Sequence, residues 1–279
     1  MDEHPPRVRR QTRSAKRQAR RVNWYDFPAY YDLAVRWETR AEADFIASAC
    51  KRYVAFPVRR LFEPGCGSGR LVVALAQRGY ELTACDVNEH ALAYLRRKLD
   101  RRGLVAKCFR GDMADFSVRG RVDSAFCTFN SFRHLLTEGQ ARRHLECVAR
   151  AVRPGGIYIL GFHLLPLDVA EESEERWRAK HGSIRLHATL RVVHTDRQRR
   201  LERLRMNLLV RSPRRSQRIV SEFPLRMYTA AQFRRLLQRV RQWELCDVYD
   251  FWYDIRRPRR LDDVITDAVF VLRNRGAGC

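Results

Sequence analysis

The residues whose types and spacing suit chemistry fall in four short stretches. The first, Val58 to Arg70, reads V-R-R-L-F-E-P-G-C-G-S-G-R. An apolar run followed by Gly65, Gly67 and Gly69 predicts a buried strand that turns tightly into a helix starting near Arg70, with free main-chain N–H groups facing a ligand. Helix starts favour anions. Glu63 at the strand end argues against a phosphate, and the position where a dinucleotide fold needs its third glycine is Arg70. The corner therefore suits a zwitterionic ligand better than a pyrophosphate.

The second stretch is Asp86, about twenty residues past the glycines and at the end of the apolar run Tyr80 to Cys85, where an acid can accept from both hydroxyls of a ribose. The third is Gly111-Asp112-Met113, after a short strand over Val105 to Phe109: Asp112 can accept from an adenine amino group while Met113 packs on the ring, although a surface-loop acid is the plain alternative. The fourth is the loop Asn130-Ser131-Phe132-Arg133-His134-Leu135 behind a strand over Val122 to Phe129, with His163 ending the run Ile157 to Phe162. In an open parallel sheet ligands lie outside the carboxyl ends of the strands, so these residues should border a reacting centre. His134 is the first candidate for a proton acceptor or orienting group and His163 the second; each also reads as a satisfied structural histidine.

These stretches need a scaffold. Five apolar runs alternate with helical patterns as far as His163, which predicts a doubly wound α/β sheet. Upstream, Ala41, Phe45, Ile46 and Ala49 predict a cap helix over Arg40 to Tyr53, with Tyr30, Tyr31 and Asp32 on a loop before it. After Leu167 the pattern changes. Glu171 to Arg178 reads as a short charged helix; then Ile184 to Val192 and Leu204 to Val210 alternate apolar with polar residues between turns at 195–200 and 211–217, an antiparallel meander with one cationic face. Thr229 and Gln232 form a capping box before a helix, and Trp243 to Phe251 and Asp267 to Leu272 supply two last strands, with a hairpin loop over Arg256 to Asp263 between them.

The net charge of +23 is regional. Residues 1–22 hold eight Lys/Arg and two acids, and residues 176–218 hold fourteen and two. Such charge permits a nucleic-acid partner without demanding one. The first segment has too little apolar surface to offset ordering entropy. Eight cysteines show neither C-x-x-C nor regular spacing with histidine, so neither a zinc site nor a disulfide framework is indicated, and no metal is expected. No window approaches the roughly 18 apolar residues of a membrane span, and no signal-type leader opens the chain, so no membrane partner and a cytoplasmic location are expected.

Taken together, E-P-G-C-G-S-G, Asp86, G-D-M and the later P-G-G resemble the class I S-adenosylmethionine-dependent methyltransferases over roughly residues 24–273. The resemblance implies a Rossmann-like sheet of seven strands in the order 3-2-1-4-5-7-6, the last antiparallel. It implies S-adenosylmethionine as cofactor, with Gly65, Gly67 and Gly69 along its methionyl part, Glu63 near its amino group, Asp86 and Val87 at the ribose and adenine face, and Asp112 and Met113 at the adenine edge. Phe129 and Asn130 would flank the sulfonium, and Tyr31, in Y-D-L, is similar to the tyrosine that closes the site in small-molecule N-methyltransferases of this class. The Asn130 loop lacks the prolines of the base-modifying members; with the meander it looks more like the branch acting on small molecules, sugar amines and glycine included. The expected division is a disordered basic tail (1–22), cap helices (23–57), the cofactor-binding core (58–166), the inserted meander (167–228) and a C-terminal helix with two core strands (229–279). The reaction expected is in-line methyl transfer to nitrogen or oxygen of a small molecule. An RNA or ribosome-associated methyltransferase using the basic segments, and a non-catalytic binding protein of the same fold, are the alternative readings.

Overall fold

The computed structural model describes residues 20–35, 39–165 and 174–276. The predicted tail lies outside the described residues except at its end, where β1 (Arg20–Arg21) joins a sheet. Seven strands build the core: β2 (Arg60–Pro64), β3 (Glu81–Asp86), β4 (Ala106–Arg110), β5 (Ser124–Cys127), β6 (Ile157–His163), β11 (Trp243–Tyr249) and β12 (Asp267–Asn274). Their order is β4-β3-β2-β5-β6-β12-β11. The first five are parallel, and β12 runs antiparallel to both β6 and β11. Counted within the sheet this is 3-2-1-4-5-7-6, the predicted order.

A sheet covered on both faces needs strands apolar on both sides. Leu61 and Phe62 on β2 illustrate it. Phe62 packs with Cys127, Tyr158, Leu160 and Phe270 on the side of α5 (Glu138–Ala151) and α6 (Ala230–Gln238). Leu61 packs with Leu82, Phe126, Ile159 and Val271 on the side of α2 (Thr39–Tyr53), α3 (Arg70–Ala76) and α4 (Glu89–Asp100). Both α5 and α6 start on capping boxes, Thr137 with Gln140 and Thr229 with Gln232, which fix where the chain turns back from the sheet.

The second sheet is a lid of order β1-β10-β9-β8-β7, made of β7 (Glu174–His181), β8 (Ile184–Asp196), β9 (Leu201–Ser212) and β10 (Arg215–Arg226), all antiparallel, with β1 parallel to β10. Its apolar face, Leu186, Ala188, Met206, Leu208, Val210 and Ile219, packs on Trp24, Leu33, Ala34 and Val35 as a third hydrophobic cluster. Three local readings are corrected. From Glu174 onward the expected charged helix is strand β7, whose Trp177 and Ala179 pack on that cluster while Arg176 and Arg178 face away; its alternation was hidden by charge, as befits an edge strand. Residues 171–173 lie outside the described residues. Tyr30, Tyr31 and Asp32 are not on a loop but in helix α1 (Pro28–Val35), which opens on a proline, a favoured first helical residue. On α2 the inward residue is Glu42, wholly buried, and Ala41 is exposed.

Candidate functional site

A cavity of about 1160 Å³ opens at the carboxyl ends of the core strands, between them, α1 and the lid. Its lining brings together Tyr31, Glu63, Gly65, Gly67, Asp86, Val87, Asp112, Met113, Phe129, Asn130, His134 and His163. Gly69 is the one candidate that the cavity does not reach. It has φ +67° at the start of α3 and is packed so closely that a Cβ would stand 2.2 Å from Leu95 Cδ1. Gly69→Ala is expected to cost roughly 2–4 kcal/mol from left-handed strain plus overpacking, read as a lower urea midpoint. At Gly67 a Cβ would meet nothing within 4 Å, so Gly67→Ala is expected to cost only the strain, about 1–2 kcal/mol.

The glycine corner is tied to the strand beside it. Gly67 N–H donates to Asp86 Oδ2 at 2.7 Å and Asn88 N–H to Oδ1 at 2.8 Å. Burial raises the Asp86 pKa against the pull of these N–H groups. A carboxylate oxygen accepts more than one hydrogen bond, so both oxygens keep capacity for hydroxyl donors. Glu63 differs from it. It is buried, its Oε2 has no hydrogen-bond partner, and burial raises its pKa well above the ordinary value, with Arg70 pulling the other way. A buried carboxylate oxygen without a partner at a cavity wall calls for a cation or donor from the ligand.

Arg70, which the sequence reading noted as a missing third glycine and the start of a helix, opens α3 beside it. Its guanidinium is 2.5 Å from Glu42 Oε1 and lines the cavity. Burial works to discharge Arg70, and the pair with Glu42 outweighs it, so the pKa is raised. Glu42 Oε2 in turn accepts from Thr128 Oγ1 at 2.5 Å, at the end of β5. Asp32 does similar work from α1: it accepts from Ser68 Oγ in the corner and from Tyr94 OH at 3.2 Å, and pairs with Lys98 Nζ at 2.5 Å. Lys98 also donates to Ser68 O at 3.1 Å. Tyr31 is thereby held over the corner, against Trp24 with ring centroids 5.0 Å apart; burial pushes its pKa up to about 12, so it is a neutral phenol.

Beyond the end of β3, Val87 is 58 % exposed at the cavity wall. Asp112 is exposed and its Oδ1 accepts from Ala114 N–H at 2.8 Å. The Met113 carbonyl is gripped by buried His144, which donates through Nδ1 at 2.7 Å and accepts from Tyr158 OH through Nε2 at 2.7 Å. Nothing in the sequence spacing marks His144 for this support.

The two histidines have different surroundings. His134 Nε2 lies 2.9 Å from Tyr25 OH, and burial, with Arg133 beside it, lowers its pKa to about 4. His163 Nδ1 lies 2.6 Å from Asp267 Oδ1, and its ring sits against Phe251 and Phe129 with centroids 5.0 and 6.3 Å apart. Asn130, at φ +58°, accepts the His163 backbone N–H on Oδ1 at 2.9 Å, which leaves its amide N–H groups for the cavity. Asp267 was invisible to sequence reading because 104 residues separate it from His163. Above this end the lid contributes Leu204, Met206, Phe223 and Leu225 to the wall, and Arg133 pairs with Glu202 while donating to Arg226 O at 2.9 Å.

The sheet order and the glycine-to-Asp86 corner give the chain the class I S-adenosylmethionine-dependent methyltransferase fold. Residues 62–156 match a family model described as "Methyltransferase domain", and the chain carries that domain there. A solved S-adenosylmethionine-dependent methyltransferase from Clostridium acetobutylicum superposes with a TM-score of 0.73 at 17% identity, covering 91% of this chain and 100% of that one. A solved sugar N-methyltransferase from Streptoalloteichus sp. gives 0.71 at 17% identity, covering 99% of each. In sequence, the chain is 28% identical to a glycine/sarcosine N-methyltransferase of Halorhodospira halochloris, over 47% of this chain and 49% of the relative. The chain spans about half the length of the curated relatives it matches. No helix among the described residues is long and apolar enough to cross a membrane.

Proposed function

We propose that the protein methylates an amine nitrogen of a small molecule, with S-adenosylmethionine as donor. One observation carries the reading: a single cavity joins the unpartnered Glu63 oxygen and Asp86 at one end to the His163–Asp267 pair at the other, under a lid that encloses a small acceptor. The curated relatives and solved neighbours whose names specify nitrogen acceptors support that choice of atom.

The residues fit the cofactor. Glu63 would take the ammonium, Arg70 and the start of α3 the carboxylate, Asp86 the ribose hydroxyls, Val87 and Met113 the adenine faces, and Asp112 its amino edge. Bound there, the cofactor would supply an electrophilic methyl carbon on a sulfonium, open to in-line attack by the amine lone pair with a neutral thioether as leaving group. Phe129, Asn130 and Tyr31 align the acceptor and keep water away, which is where most of the acceleration arises.

An amine acceptor is protonated near neutral pH and must lose that proton before its lone pair can attack. His163 is the better group to take it. Asp267 accepts from Nδ1–H and leaves Nε2 as the acceptor, whereas the His134 Nε2 is engaged with Tyr25 OH and burial weakens it as a base. Asp267 is a positioning residue and His134 with Tyr25 orients the acceptor. Steady-state kinetics on the acceptor, found by following methyl label from the donor into a fractionated extract, should give a roughly 10²-fold lower kcat for His163→Ala. Asp267→Asn should lower kcat with the KM for the acceptor little changed, because Asp267 orients the His163 ring. If His163→Ala turns over normally while His134→Ala does not, the roles are reversed; if label enters no small metabolite, the acceptor class is wrong.

A further inference from the structure

The acceptor half of the cavity has a chemistry of its own. Where glycines and paired charges line the donor half, the lid turns an apolar wall inward, made of Leu190, Val192, Leu204, Met206, Phe223 and Leu225. Trp177 joins them, and its indole N–H is already spent on Ala34 O at 3.1 Å. Among the described residues, the polar side chains that the lid adds to the lining are Glu175 and Glu202, and Glu202 is engaged with Arg133.

The apolar surface continues from the core side out to the rim. The Phe251 ring centroid lies 5.0 Å from that of His163. The next residue, Trp252, is 85% exposed, and Val264 on the same cavity is 81% exposed. The large hydrophobic side chains exposed among the described residues are these two, Val87 and Val105, and all but Val105 line this cavity. Single exposed hydrophobics scattered over a surface need no explanation; a group gathered on one cavity does. Val87 has a task at the donor, whereas Trp252 and Val264 have none there. Neither is on a loose tip. The Trp252 backbone N–H donates to Asp250 Oδ1 and the Val264 N–H to Asp262 Oδ1, both at 3.1 Å, and buried Tyr253 fixes the loop by donating its OH to Thr128 O at 3.2 Å. An indole held in water on an anchored loop is a surface that gains by being covered.

Charge and size decide what covers it. Beyond the donor residues the lining holds four acids, Glu175, Glu202, Asp250 and Asp267, against two arginines, Arg133 and Arg259. Each arginine is already paired with one of those acids, Arg133 with Glu202 and Arg259 with Asp250 at 3.5 Å. An acceptor carrying a phosphate or diphosphate would therefore enter an acidic chamber that has no excess of cations, while a protonated amine is drawn into it. A free saccharide would strand its hydroxyls against the lid wall, where few side chains can answer them. An amino acid of glycine's size would leave most of the space empty: the cavity, about 1160 Å³, exceeds the roughly 300–1,000 Å³ that houses one drug-sized ligand, so the donor leaves room for a second molecule of real bulk.

We propose that the acceptor is an amine carried on a bulky, uncharged apolar body, that this body lies between the lid wall and the Trp252–Val264 rim while its nitrogen reaches His163, and that Trp252 is a specificity-determining residue. This deepens the reading of the cavity as an amine-methylation site and rests on it.

The test is calorimetry on the full chain saturated with S-adenosylhomocysteine, the demethylated donor, using phenylbutylamine, glycine, glucosamine and a nucleoside-diphosphate glucosamine as probes. Binding is thereby read without turnover, and label transfer from S-adenosylmethionine is then followed on the same amines. Phenylbutylamine should bind roughly tenfold or more tighter than the other three and show the highest kcat/KM. Trp252→Ala should raise its Kd and KM by about tenfold with kcat little changed, because contact with the ring is made equally before and during reaction. Trp252 is exposed, so the variant keeps its fold. Val105→Ala, equally exposed but outside the cavity, should change neither constant. The proposal is overturned if glycine, glucosamine or the nucleotide-linked amine binds more tightly, if phenylbutylamine does not bind, or if Trp252→Ala leaves its KM and Kd unchanged. Phenylbutylamine binding that Trp252→Ala weakens, without transfer of label, would uphold the apolar site and overturn the reaction assigned to the cavity.

Discussion

Replacing Glu63 with Gln is expected to stabilise the cofactor-free protein and to weaken S-adenosylmethionine binding by about 10- to 100-fold, the loss for a hydrogen bond to a charged group. The two effects have one cause. Burial without a partner holds the Glu63 carboxyl well above its ordinary pKa. A group whose pKa is raised on folding contributes stability that is fully present below its unfolded pKa and is lost as pH rises through the folded value. Above the unfolded pKa, folding must therefore either protonate Glu63 or bury its charge, a cost that a ligand ammonium relieves, and Gln removes both the burden and the relief. Thermal melts at pH 5 and pH 8, with and without cofactor, read this directly: the wild type should lose more stability than the variant between the two pH values, and should gain more from cofactor. Calorimetry giving equal affinities for the two proteins would remove Glu63 from the amino-group site.

The second large effect is at Glu42. Glu42→Ala strands Arg70 in a position where its side chain is 11% exposed, and breaking such a pair from one side costs about 3–5 kcal/mol. Removing both charges is different. Glu42→Leu with Arg70→Leu should recover much of that stability, because a buried pair often contributes little against a well-packed apolar replacement. The double variant should nevertheless bind cofactor poorly, since no guanidinium remains for its carboxylate. Urea melts report the first comparison and calorimetry the second. A double variant that binds normally would show that Arg70 serves only the contact between α2 and α3.

The core sheet was legible because its strands are buried on both faces and therefore read as apolar runs, and because the glycine corner, Asp86 and the Gly111–Met113 loop sit on successive strand ends in the predicted order. What escaped was polar and distant. Glu42 drew no notice because periodicity scores a carboxylate as solvent-facing, whereas Arg70, 28 positions on, and Thr128 make its burial tolerable. Strand β7 was masked because an edge strand with charges on one face lacks a continuous apolar pattern. Asp267 and Asp32 act through partners that neither helix nor strand spacing connects to them.

The third hydrophobic cluster has a consequence for how such a protein changes over time. Because Trp24 and α1 share their core with the lid strands and not with the two clusters flanking the main sheet, mutations that remodel the acceptor wall can accumulate there without disturbing the packing that supports the glycine corner. Polar joints tie the two parts at separate points, among them Asp32 with Ser68 and Lys98, Tyr25 with His134, Arg133 with Glu202, and Arg200 and Arg226 with Glu138. Substitutions confined to the apolar face of that cluster are therefore expected to reshape the lid wall of the cavity while leaving affinity for S-adenosylmethionine, read by calorimetry, nearly unchanged.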